Sequence, residues 1–264
     1  MRKTLIALSV GAALATPIFA SADEPGLSAN VTIASEYLYR GIAQTRGNPA
    51  IQGGFDYAFS NGAYIGTWGS NISWISDAGT GSSSSMEWDI YGGYKGSISK
   101  DLGYDVGILT YNYPGDHMPT GAAKPDTVEI YGALSYKWLS AKYSVATGSL
   151  FGWTKDNLGV DETSGSGYLD LTGTFDIGSG MSVVAHLGHQ TVSGYSDASY
   201  SDYKIGVNKD FPKFGTLGVA IVGTDAKDDC SPTATGQPYC FVDATGEGYS
   251  AGKSRLLVTF GKSF

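Results

Sequence analysis

The closing stretch of the chain, "RLLVTFGKSF" (255–264), alternates side chains of two kinds. From Leu256 the even positions are Leu256, Val258, Phe260, Lys262 and Phe264, and the odd ones are Leu257, Thr259, Gly261 and Ser263. A period of two describes a strand whose two faces meet different surroundings. Terminal residues are usually loose unless something ties them down. A patterned terminus therefore predicts a sheet and a partner strand elsewhere in the chain.

The same alternation recurs from one end to the other. "NVTIASEYLY" sets Val31, Ile33, Tyr37 and Tyr39 against Asn30, Thr32 and Glu36. "IQGGFDYAF" sets Ile51, Phe55, Tyr57 and Phe59 against Gln52 and Asp56, and "MEWDIYGGYKGSI" sets Met86, Trp88, Ile90, Tyr94 and Ile98 against Glu87, Asp89 and Lys95. Continued along the chain, the pattern predicts twelve strands, near 29–40, 49–59, 63–74, 86–98, 103–113, 127–138, 141–151, 168–177, 181–192, 201–210, 216–225 and 254–264. Between them, short gaps such as "SNG" (60–62) and "GSG" (178–180) carry the Gly, Asn and Ser that tight hairpins need. These take turns with long gaps rich in Gly, Ser, Asp and Pro, of which 226–253 is the longest. No internal domain boundary interrupts the array of hairpins.

Composition narrows the class. Gly 38, Tyr 18 and only 16% charged residues argue against a helix-rich domain, because Gly is a poor helix residue. The net charge of -8 and the lack of a Lys/Arg cluster give no support for nucleic-acid binding. At the start, Arg2 and Lys3, an apolar run from Leu5 to Ala15 and the small-residue site at Ala20, Ser21 and Ala22 predict an export signal over residues 1–22. The remaining span, 23–264, reads as one domain. In an exported chain, Cys230 and Cys240 in "CSPTATGQPYC" are expected to form a disulfide.

Many alternating strands fit either a soluble sandwich or barrel, apolar side in, or a membrane barrel with the faces reversed. Four features favour the membrane barrel. The strand count is even, which puts both termini on one rim, and turn lengths alternate between short and long. Aromatics gather near strand ends, at Tyr37, Tyr39, Phe55 to Phe59, Trp68, Trp74, Trp138, Phe151 and Trp153, where interfacial girdles are expected. Phe264 is in phase with the apolar face. A sheet in lipid cannot leave an edge, since each unpaired backbone group costs several kcal/mol in hydrocarbon. The last strand is thus expected to close the ring against "NVTIASEYLY". The predicted fold is an all-β transmembrane antiparallel up-and-down barrel in a bacterial outer membrane.

Several blocks also resemble a known family. "SEYLYRGIAQT" (35–45), "NPAIQGGFDYAFSNGAYIGTWGSNI" (48–72), "EWDIYGGYKG" (87–96), "LGYDVGILTYNYPG" (102–115) and the closing "GKSF" are similar to the TorF-type porin family of proteobacteria. The resemblance implies an outer-membrane barrel with a transport role that is itself inferred, and it brings no catalytic or binding residues.

With the apolar face outward, the lumen-lining candidates are Glu36, Arg40, Asp56, Glu87, Asp89, Lys95, Asp105, Glu129, Lys137, Lys142, Asp170, Asp176, Asp202, Lys204 and Arg255. Their acidic excess suggests a cation-preferring pore for small hydrophilic solutes. The alternative is a charged network that fills the lumen of a structural or surface-interaction barrel. Neither Gly-x-Ser-x-Gly nor His-Glu-x-x-His occurs, and His186 and His189 have opposite parity on one strand, so an outer-membrane hydrolase is disfavoured. No cofactor is called for. Expected partners are outer-membrane lipid, lipopolysaccharide and the barrel-assembly machinery, with Phe260 and Phe264 as a C-terminal assembly signal.

Overall fold

A computed structural model describes residues 25–77, 81–115, 117–120, 122–154, 159–243 and 245–264; the export signal predicted over 1–22 lies outside the described residues. The strands are β1 (Gly26–Ala34), β2 (Leu38–Tyr39), β3 (Ile42–Ala43), β4 (Ala50–Ala58), β5 (Ala63–Asn71), β6 (Met86–Ser97), β7 (Leu102–Asn112) and β8 (Thr127–Tyr136). They continue with β9 (Leu139–Ala146), β10 (Gly167–Gly178), β11 (Met181–Thr191), β12 (Tyr200–Phe211), β13 (Gly215–Thr224), β14 (Cys240–Val242), β15 (Gly248–Ser250) and β16 (Arg255–Ser263). One helical turn, α1 (Trp74–Asp77), follows β5. Twelve of these strands form a closed antiparallel barrel in the order β1-β16-β13-β12-β11-β10-β9-β8-β7-β6-β5-β4. β2–β3 and β14–β15 are separate small hairpins.

Closure occurs where the terminal pattern predicts it. Val31 lies opposite Lys262, Thr32 opposite Gly261 and Ile33 opposite Phe260. The ladder runs on to Phe264, whose N–H donates to the Ala29 carbonyl at 2.8 Å. The short turns and the two ends of the barrel chain share one rim, and all the long loops leave from the other.

The faces are inverted relative to a water-soluble sheet. Leu256 (65% exposed), Ile33 (57%) and Ile130 (51%) point outward, whereas Gln52 and Glu129 (1% each) and Thr259 (2%) point inward. Fully covering a Leu or Ile side chain is worth roughly 1.5–3 kcal/mol, and here only acyl tails can cover the outward ones. The belt of apolar side chains around the whole ring identifies an outer-membrane barrel.

Each predicted barrel strand is present, but four end two or more residues earlier than the alternation suggests. β1 stops at Ala34, where the Ser35 N–H donates to the Val258 carbonyl at 2.8 Å and the Ser35 hydroxyl accepts from the Val258 N–H at 3.0 Å. Beyond that rung the chain turns into the barrel. β5 gives way to α1, β8 ends at Tyr136 with Lys137 at positive φ in the turn, and β9 ends at Ala146, five residues before Phe151 with its φ of 48°. The girdle reading is corrected accordingly. Phe55, Tyr57, Phe59 and Trp138 do face outward near the turn rim. Tyr37, Tyr39, Trp68, Trp74, Phe151 and Trp153 instead pack with one another or with other interior rings, because the segments carrying them bend inward or present their inward parity.

Candidate functional site in the barrel interior

The segment after β1 turns into the ring. Residues 36–45 are all buried, although no barrel strand contains them. The hairpin is held at its base by Tyr37 N–H donating to Thr45 Oγ1 (3.0 Å) and Gln44 N–H donating to the Tyr37 carbonyl (2.8 Å). At its tip, Arg40 (φ 47°) and Gly41 (φ 80°) make a two-residue turn with both φ values positive. Such turns suit tight hairpins, and Gly is favoured in them. A Cβ at Gly41 would strike Thr224 Cγ2 on β13, so the tip lies directly against the wall. Holding a non-glycine residue such as Arg40 in the left-handed region costs about 1–2 kcal/mol, which its side-chain contacts must offset.

Those contacts span the far wall. Arg40 Nη2 donates to both Glu129 oxygens on β8, at 2.9 and 2.7 Å, and Nη1 donates to Gln190 Oε1 on β11 at 2.6 Å. The guanidinium lies over the Tyr168 ring of β10 (4.2 Å to the centroid) and the Tyr39 ring (4.8 Å). Planar geometry and delocalised charge suit arginine to forked carboxylate pairing and aromatic stacking together. The hairpin thus starts at β1 and is fastened to the opposite side of the ring.

Nearer the β4–β7 wall the lining is acidic. Glu87 accepts from the Tyr37 hydroxyl (2.6 Å) and from Tyr113 (3.1 Å), while Asp89, two residues along the same face of β6, has a buried Oδ1 with no protein partner. Asp56 accepts from Tyr91 at 2.6 Å. Asp105 accepts from Tyr64 at 2.7 Å, and Tyr64 also pairs with Tyr131. Lysines approach these rings: Lys142 Nζ is 3.8 Å from the Tyr131 centroid and Lys95 Nζ is 5.4 Å from that of Tyr64. Across the lumen, His186 sits between Asp202 (Nε2 to Oδ1, 2.9 Å) and Asp170 (Nδ1 to Oδ1, 3.4 Å), beside the inward Lys204.

Most of the predicted lining residues face the interior, and a few are placed differently. Glu36 and Arg255 meet near the loop rim, 3.4 Å apart, with the Tyr249 hydroxyl donating to Glu36 at 2.8 Å. Burial, then the adjacent Glu36 carboxylate, raises the Tyr249 phenol above its usual range. Lys137 does not line the lumen: it is exposed in the β8–β9 turn at positive φ, where the pleat no longer dictates where the side chain goes. Asp176, exposed near the end of β10, is paired with the inward Ser182 and accepts from the Gly178 N–H at 2.8 Å, which puts it at the turn-side mouth of the lumen. The charge-based selection passed over His186, Gln190 and the inward tyrosines Tyr64, Tyr91, Tyr111, Tyr131 and Tyr168. Their parity within the strands was the signal, and they bind the charges together.

The loops add a second layer on the same side. Cys230 and Cys240 are joined by a disulfide, as the spacing predicted. Next to it, a cavity of about 620 Å³ is lined by residues including Asp228, Asp229, Tyr249, Lys253 and Arg255. Asp243 in the β14–β15 turn is pushed down to about 2, chiefly because it accepts from the Thr245 hydroxyl (2.6 Å). Among the described residues, no group of three or more His, Cys, Asp or Glu is arranged to hold a metal ion.

Residues 20–264 match the family described as "Bacterial protein of unknown function (Gcw_chp)". The chain belongs to that family. No curated protein sequence matches it. Among solved structures it is similar to the KdgM porin, at TM-score 0.53 and 8% identity, covering 90% of this chain and 99% of that one. A second structure, of the KdgM porin in complex with disordered oligogalacturonate, gives TM-score 0.52 and 7% identity, covering 90% and 98%. At such low identity the likeness speaks for the fold: a porin-type barrel of similar size.

Proposed function

We propose that this barrel is a porin-like channel for passive diffusion of small hydrophilic solutes and ions across the outer membrane, with a preference for cations. The observation that carries the proposal is the set of acidic and basic side chains gathered inside a closed ring. Asp56, Glu87, Asp89, Asp105, Glu129, Asp170 and Asp202 face inward, against Arg40, Lys95, Lys142, Lys204 and His186. Charged lining side chains set ion selectivity in pores. Asp89 Oδ1, Gln52 Oε1 and Ser182 Oγ are buried with no protein partner, which suits a path shared with water or solute. The resemblance to TorF-type porins, and the porin folds of similar architecture, support the same reading. Purified barrel in planar bilayers should give discrete conductance steps and a reversal potential on the cation side in a KCl gradient. A folded but silent barrel would instead favour the filled-lumen reading, for which the fully buried segment 36–45 is the supporting observation.

The expected partners follow from the same geometry. The apolar belt contacts lipid, and the loop rim faces lipopolysaccharide. Phe260 faces outward and Phe264 continues its strand, an arrangement suited to recognition by the barrel-assembly machinery. Phe264→Ala should slow appearance of the compact, heat-modifiable band on gels without altering the conductance of molecules that do fold. Unchanged assembly kinetics would remove Phe264 from that role.

A further inference from the structure

The segment 36–45 has a feature that a mere filler would not need. Its tip carries one long cation across the bore and fixes it on three strands of the opposite wall. The Arg40 side chain is 0% exposed and that of Glu129 1%, 2.7 Å apart, so this ion pair is almost wholly enclosed. Gln190 takes the other guanidinium nitrogen and Tyr168 the face, while Nε is left without a partner. The backbone at the tip fits only because Gly41 has no Cβ where it meets Thr224. A buried pair of this kind is a poor means of adding stability but an effective means of specifying one arrangement.

We propose that Arg40, carried on the inner hairpin and clasped by Glu129 and Gln190, is the residue that sets the bore of this channel and holds down its cation preference. The proposal rests on the channel reading above. With the clasp closed, the guanidinium occupies the lumen between β8, β10 and β11, and its charge opposes the acidic wall formed by Glu87 and Asp89. A solute must pass beside it. Removing the side chain widens the path and leaves Glu129 as an additional bare carboxylate. Removing the charge of Glu129 instead frees the Arg40 cation inside the bore. The two changes should therefore move selectivity in opposite directions, which a change in size alone cannot do.

The test is single-channel recording and reversal potential in a KCl gradient for the full-length wild type, Arg40→Ala, Arg40→Lys and Glu129→Gln, with Lys137→Gln in the β8–β9 turn as control. Heat-modifiable migration confirms that each is folded. Arg40→Ala is expected to raise unitary conductance several-fold and shift reversal further toward the potassium potential. Glu129→Gln should shift reversal toward chloride. Arg40→Lys, whose compact ammonium cannot fork onto Glu129 and Gln190 together, should fall between wild type and Arg40→Ala. A silent wild type beside a conducting Arg40→Ala would mean that the clasp fills the lumen, which overturns the channel reading and this proposal with it. Conduction by wild type with the same conductance and reversal potential in all variants overturns this proposal and leaves the channel reading intact. Silence of every folded variant overturns both.

Discussion

β1 and the segment that follows it use the same alternating pattern for opposite ends. In Gly26–Ala34, the residues Val31 and Ile33 face lipid while Thr32 and Ala34 face the lumen. In the next residues Tyr37, Leu38, Tyr39, Ile42 and Ala43 are buried inside the ring, where polar side chains otherwise predominate. A period of two states that a segment has two faces; it does not state which medium each face meets. For β1 the neighbours on both sides, β4 and β16, fix the answer through backbone ladders. For the segment 36–45 no barrel strand supplies a ladder, and side chains from distant strands decide it.

That contrast can be broken from either side. The largest effect is expected on the lipid face, where Ile130→Arg should destabilise the barrel by about 2–4 kcal/mol if the site lies near the bilayer midplane. Denaturant unfolding in vesicles measures it, and a loss below about 1 kcal/mol would argue that this face does not meet acyl chains. On the inner hairpin, Tyr37→Phe removes the hydroxyl that donates to Glu87 at 2.6 Å, and a hydrogen bond to a charged group is worth about 1.5–3 kcal/mol. Faster amide exchange confined to 36–45, with the barrel strands unchanged, is the expected result. Gly41→Ala should cost about 1–2 kcal/mol from its left-handed backbone alone, plus the collision with Thr224. The same exchange experiment should show the hairpin tip released while its base persists.

The smallest effect lies outside the membrane. Asp243 is held near 2 by hydrogen bonds from Thr245 and the Glu247 N–H and by Arg46 3.0 Å away. A depressed carboxyl pKa contributes stability above the unfolded value of about 3.9, and that contribution is lost as pH falls through about 2. Carbon-detected titration should place its midpoint well below the ordinary aspartate value of about 3.9. A midpoint near 4 would mean that the β14–β15 turn is not formed in solution, and would sharpen how far order extends from the barrel.

Much of this was legible in the residues. Alternation located every barrel strand, because one face of a membrane strand must be apolar wherever it crosses lipid. Alternating gap lengths told turns from loops, and the two cysteines announced their bond. Lining residues well inside strands, such as Glu87, Asp105 and Asp170, followed from parity. Lys137 did not, since a turn releases a side chain from the pleat. Parity puts Arg40 on the lumen side as part of a strand wall, whereas in the structure it is the tip of a hairpin reaching across the lumen.

The order of residues was enough to establish an inverted sheet and its closure, since a backbone in hydrocarbon must satisfy its hydrogen bonds within the ring. Where segment 36–45 goes depended on Glu129, Gln190, Tyr168 and Thr224, which are remote in the chain and become neighbours only once the ring is shut. Local pattern carries the period of a strand, whereas the partner of a buried charge is a property of the closed space around it.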